Sequence, residues 1–174
     1  MSEHDEPMMR HALRLAAEAA ALGEVPVGAV VHRDGEILGR GANRREARAD
    51  PTAHAEVLAL RAAAARLGTW HLEGCDLVAT LEPCPMCAGA AINARVARVV
   101  YAAADPNAGC CGSLMDLCAH TRFNHHPRVT GGVLAEEGAA LLLAFFRSRR
   151  KKPPAAAAPP AGPDGRAPNR QAPG

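Results

Sequence analysis

The stretch that decides the fold is "CDLVATLEPCPMCAGAAINARVARVVYAA", residues 75–103. Its opening, "CDLVATL", is a short apolar run and reads as a buried strand. "CPMCAGAAINAR" reads as a short helix with Pro85 in its first turn, where the missing N–H is no loss. "VARVVYAA" reads as another strand. Strands joined through a helix run parallel, because a hairpin cannot make that connection. Cys84 and Cys87 sit at the strand-to-helix junction.

Upstream, "MMRHALRLAAEAAAL" has apolar residues at helical spacing and stops at Gly23, a natural C-terminal cap. "VPVGAVVHRDGEILGRGAN" then gives two β-rich runs around the turn signal "RDGE". "DPTAHAEVLALRAAAARLG" carries helix start and stop signals, from Asp50-Pro51-Thr52 to Gly68. Downstream, residues 105–127 read as loop, with a turn at "SLMDLC". "RVTGGV" is a final short strand, and "AEEGAALLLAFFRSRRKK" is a terminal helix. The alternation predicts an α/β fold, a three-layer α/β/α sandwich around a central mixed sheet. Residues 1–152 form its one domain. Residues 153–174 are so rich in Pro, Ala and Gly that they cannot build a core and are expected to be disordered.

The chain has 174 residues and a formal net charge of +2. Of its 20 Lys and Arg, seven lie from Arg147 onward beside one of the 18 Asp and Glu, leaving 13 against 17 in a mildly acidic body. The basic end suits a polyanion; it equally suits a solvated helix terminus, where cations offset the dipole. No run approaches the ~20 apolar residues of a membrane span, and "MSEHDEPMMR" is too acidic for a secretory signal. The expected location is the cytoplasm, where thiols stay reduced, so six cysteines point to metal or chemistry before disulfides.

Cys84 and Cys87 share one face of a helix start, where the dipole favours the thiolates that bind metal. A zinc ribbon would need a second Cys-x-x-Cys, and there is none: Cys110 and Cys111 are adjacent, Cys75 and Cys118 alone. A redox pair would not explain "TAHAE", with His54 and Glu56 at another helix start. His-x-Glu about thirty residues before Pro-Cys-x-x-Cys is the zinc deaminase signature. Three ligands, His54, Cys84 and Cys87, leave the fourth position of one Zn²⁺ open for water, as catalytic sites do. Glu56 is then the catalytic proton shuttle, serving water, ring nitrogen and departing ammonia in turn.

"VPVGAVV", Ala42-Asn43, "DPTAHAEVLALR", "TLEPCPMCAGA", "RVVYAA", "GSLMD" and "FFRSRR" together resemble the bacterial tRNA-specific adenosine deaminases, from about residue 8 to residue 152. The zinc motif alone is shared with other deaminases; "GSLMD" and "FFRSRR" are the sharper markers. The resemblance implies a cytidine deaminase-like fold, a homodimer, and conversion of adenosine to inosine at the wobble position of a tRNA anticodon stem-loop. It also implies that Asn43 touches the purine edge. By residue type alone Asn43 is a turn residue after the second strand. Asp105 and Asn124 match loop positions near the flipped nucleotides. Phe146, Arg149 and Arg150 match the helix that packs on the anticodon loop, where stacking and phosphate contacts hold splayed bases.

The chain departs from that pattern in places. Asn107 stands where relatives carry a lysine, which removes a phosphate contact. Cys110 and Cys111 fill space for small residues. "NHHPR" follows the loop with an extra His and Pro, making His125 a candidate RNA contact. Trp70 reads as core or subunit interface. Two rivals remain: a free-base deaminase acting on guanine or cytosine, and a non-catalytic zinc-stabilised RNA-binding module. A free-base enzyme has no use for the basic terminal helix, and a structural zinc site has none for Glu56.

Overall fold

In the computed structural model, which describes residues 1–150, helix α1 spans Asp5–Ala21 and buries Met8, Met9, Ala12, Leu13, Ala16 and Ala19 at helical spacing. Strands β1 (Gly28–Arg33) and β2 (Glu36–Ala42) form a hairpin. Asp34 and Gly35 make its two-residue turn, both with positive φ (49° and 83°), as a type I′ turn requires. A four-residue helix α2 (Arg45–Arg48) follows, then α3 (Ala55–Leu67), β3 (Asp76–Leu81), α4 (Pro85–Asn93), β4 (Arg98–Ala103), β5 (Arg128–Thr130) and α5 (Ala135–Arg150).

The five strands form one mixed sheet in the order β2-β1-β3-β4-β5. β1 is antiparallel to both β2 and β3, while β3, β4 and β5 are mutually parallel. Strand β1 therefore runs against the other four. Side chains alternate between two cores. Ala29, Val31, Leu77, Ala79 and Val99 face α3 and α4. Val30, Val78 and Val100 face α1 and α5. With both faces covered, the central strands are near-continuous apolar runs. This is the expected three-layer sandwich.

Four details differ from the sequence reading. Helix α3 starts at Ala55, because Asp50 Oδ1 spends itself on a local turn, accepting from Thr52 N (2.8 Å) and Thr52 Oγ1 (2.7 Å). Helix α2 was not foreseen; the buried Glu24 holds it by accepting from Glu46 N and Ala47 N. β5 is parallel to β4 although only the loop of residues 104–127 joins them. Trp70 is 60% exposed, so it is not core. Lys151, Lys152 and the expected disordered tail over 153–174 lie outside the described residues. No helix among the described residues is long and apolar enough to cross a membrane.

Candidate active site

Because β1 runs against the rest, the ends of β2, β3 and β4 and the start of β1 all meet at one edge of the sheet. Ligand sites of open α/β sheets favour the carboxyl ends of strands. Helix α3 can seat close to β2 there because Gly41 has no side chain: a Cβ on it would lie 2.0 Å from the Ala55 carbonyl oxygen. That seating fixes His54 at the N-cap of α3 and Glu56 in its first turn.

Cys84 occupies the N-cap position of α4, Pro85 follows at its first position, and Cys87 is buried in the first turn. Neither His54 nor Cys84 spends its side chain on capping. His54 Nδ1 lies 3.6 Å from Cys84 Sγ and 3.5 Å from Cys87 Sγ, and the two sulfurs are 3.6 Å apart. A tetrahedral Zn²⁺ with bonds of about 2.3 Å to sulfur and about 2.0 Å to nitrogen separates two sulfurs by about 3.8 Å and sulfur from nitrogen by about 3.5 Å. The trio fits that ion in both donor chemistry and spacing, and it is the sole such group among the described residues. The sulfur–sulfur contact lowers Cys84 to about 4, helped by His54, and raises Cys87. The Cys84 contact in turn raises His54.

Glu56 is 4% exposed, and burial pushes its carboxyl above the ordinary range. It lines a cleft of about 170 Å³ together with His54, Cys84 and Asn43. Val25, Val27 and Leu81 supply an apolar wall. Asn43 Nδ2 donates to the Val25 carbonyl at 3.3 Å, which leaves the buried Oδ1 without a partner. A buried acceptor facing a cleft is available for an N–H of a bound base.

Glu82 is a site residue that the sequence reading did not single out. Buried at the end of β3, it accepts from the backbone N–H of Asp105 (3.1 Å), Cys111 (3.0 Å) and Ser113 (3.0 Å), and from the Ser113 hydroxyl. Burial alone would raise its pKa, but these donors outweigh it and hold the carboxylate below the ordinary range. It pins the loop that carries Asp105 against the cleft. The available signal was a carboxylate ending an apolar strand, which must find donors when buried.

The other candidates are spread out. Asp105 lines the cleft, with its Oδ1 turned to Asn107 N (2.9 Å) and Ala108 N (3.2 Å). Asn124 and His125 do not line it. The Asn124 carbonyl accepts from Arg95, and His125 Nε2 bonds the Val96 carbonyl at 2.7 Å. Phe146 is exposed at the end of α5, beside Phe145. Arg149 stacks 4.9 Å over Phe145 and donates to the Gly23 carbonyl, two residues before the cleft wall at Val25. Arg150 is exposed at the helix end.

Residues 2–103 match the family described as the cytidine and deoxycytidylate deaminase zinc-binding region. The chain is 51% identical over 133 residues to the tRNA-specific adenosine deaminase of Bacillus subtilis, spanning 76% of this chain and 83% of that one. A solved structure from a study of A-to-I editing by tRNA:A34 deaminases at the wobble position superposes with a TM-score of 0.76 at 40% identity, over 78% of this chain and 99% of that one. A guanine deaminase from Nitrosomonas europaea superposes with a TM-score of 0.67 at 29% identity, over 82% of this chain and 84% of that one.

Proposed function

From a chain that belongs to the cytidine and deoxycytidylate deaminase zinc-binding family, we infer a zinc-dependent hydrolase that converts adenosine to inosine at the wobble position of a tRNA anticodon. The observation that carries the chemistry is the His54, Cys84 and Cys87 trio with the buried carboxyl of Glu56 on the same cleft. In the overall reaction, water replaces the C6 amine and ammonia leaves. His54, Cys84 and Cys87 would hold one zinc. When bound, it supplies a Lewis acid that acidifies water.

The chain's own residues do the rest. Glu56 takes one proton from water as its oxygen bonds to C6 and gives it to the ring nitrogen; it then takes the remaining hydroxyl proton and gives it to the amine, so that the C6–N bond breaks, ammonia leaves and the C6 carbonyl forms. Val25, Val27 and Leu81 hold the base and keep bulk water from it. Asn43 Oδ1 orients the base by accepting an N–H. Glu82 keeps the Asp105 loop in place beside the cleft. Outside it, Phe146, Arg149 and Arg150 meet the anticodon loop; Asn124 and His125, which do not line the cleft, contact the RNA outside it.

The chain acts as a homodimer in the cytoplasm. The second copy covers the apolar groove between α3 and α4, where Leu60, Ala64, Leu72, Ala90 and Ala94 surround the exposed Trp70. Tryptophan is among the residues enriched at interface hot spots.

The substrate test offers the zinc-loaded chain an anticodon stem-loop and free guanine, and scores inosine, xanthine and ammonia. Inosine with equimolar ammonia from the stem-loop is expected. Xanthine from guanine with no inosine moves the chain to the free-base reading suggested by the guanine deaminase fold match.

A further inference from the structure

We propose that a second basic bank, a groove between α1, the β2 edge and α3, binds phosphates of the RNA stem beside the anticodon loop. This rests on the RNA-substrate reading above and adds a surface to it. The groove is lined by Arg40 on β2, Arg44, Arg48 on α2, and Arg61 on α3. Among the described residues none of the four forms an ion pair. Arg44 is half-buried, and its Nη1 is buried with no hydrogen-bond partner. A buried guanidinium nitrogen without an acceptor is costly unless a ligand supplies one.

The groove is joined to the cleft by the backbone itself. Along residues 42–45 the chain alternates: Asn43 and Arg45 line the cleft, while Ala42 and Arg44 line the groove. Helix α2 is fixed there by Glu24, whose carboxylate accepts from Glu46 N (3.2 Å) and Ala47 N (2.8 Å). Gly23, the residue before it, accepts from Arg149 at the end of α5. One turn therefore anchors two basic elements, with the cleft wall at Val25 and Val27 leading away from it. Phosphates flanking a loop seated in the cleft lie outside it, and both basic elements are tied by the backbone to the cleft wall. The acids nearby do not cancel the arginines. Glu18 is the groove's one acidic lining residue, and Asp50, bonded to Thr52, feels the charges of Arg48 and Arg61 without forming an ion pair with either, so four arginines stand against two acids.

The competing reading is that Arg40 and Arg48 are solvated guards of an open sheet edge. The test uses the full zinc-loaded chain and measures affinity across a salt series for an anticodon stem-loop and for a loop-only oligonucleotide of the same sequence. The variants are Arg40→Gln with Arg48→Gln, and Arg40→Lys with Arg48→Lys; both positions are exposed. Each lost phosphate contact lowers the slope of log affinity against log salt by about 0.7–0.9. The glutamine pair is expected to flatten the stem-loop slope by about 1.4–1.8, to leave the loop-only slope and saturated turnover unchanged, and to be rescued by the lysine pair. An unchanged stem-loop slope, or an equal loss on the loop-only oligonucleotide, overturns the inference. A wild-type chain that binds neither RNA overturns the substrate reading, and the groove assignment with it.

Discussion

Glu82 shows how one side chain sets the geometry of a site without touching its chemistry. Its two oxygens take four donors from a loop that begins more than twenty residues later. Replacing it with glutamine turns acceptors into an amide that cannot satisfy them all, at a cost of about 1–3 kcal/mol. Its pKa is lowered in the fold, so its stabilisation is full above the unfolded carboxylate value of about 4.3 and is lost as pH falls through the folded value. Acid unfolding of wild type and Glu82→Gln should therefore show a stability gap at pH 7 that closes in acid; a gap constant down to low pH refutes the assignment. The grouping of His54, Cys84 and Cys87 was legible in sequence because His-x-Glu upstream of Pro-Cys-x-x-Cys is a specific pattern, whereas a lone His or Glu at a helix start is more often a cap or a dipole partner. Glu82 was not, because its partners come from a loop whose path the sequence does not specify.

Secondary-structure elements meet at the site through close backbone approach. Gly41 lets α3 lie against β2, and any Cβ there would meet the Ala55 carbonyl oxygen. Gly41→Ala is expected to cost about 1–3 kcal/mol by overpacking. It should also lower zinc content, since the displaced helix start carries His54. Thermal unfolding and metal analysis of the purified variant check both; full zinc content with unchanged stability would show that the contact is slack. At this scale helices α1, α3, α4 and α5 and the β1–β2 hairpin were legible from periodicity, turn residues and caps. Helix α2 and the start of α3 were not. Four residues cannot sustain a helix alone, and α2 exists because Glu24, far along the chain, caps its amides. The Asp50 and Thr52 start signal was diverted into a turn before the helix began.

Across the whole molecule, a single reversed strand brings the ends of three parallel strands and the start of β1 to one edge, and every element of the cleft follows from that arrangement. Parallel pairing was readable from the helix between β3 and β4; the antiparallel β1–β3 pair in the middle was not, because non-local pairing leaves no local mark. Dimerisation belongs to this scale. Trp70→Glu should convert a dimer into a monomer in sedimentation, while a monomeric wild type would remove the proposed interface. The proposed catalysis rests on proton transfer by Glu56 beside a zinc held by His54, Cys84 and Cys87. Its most direct test is single-turnover inosine formation on an anticodon stem-loop by Glu56→Ala, with zinc content and stem-loop affinity measured on the same sample. Wild-type zinc content and affinity are expected, with turnover reduced at least about 10²–10⁴-fold. Inosine formed at near wild-type rate by that variant would contradict it.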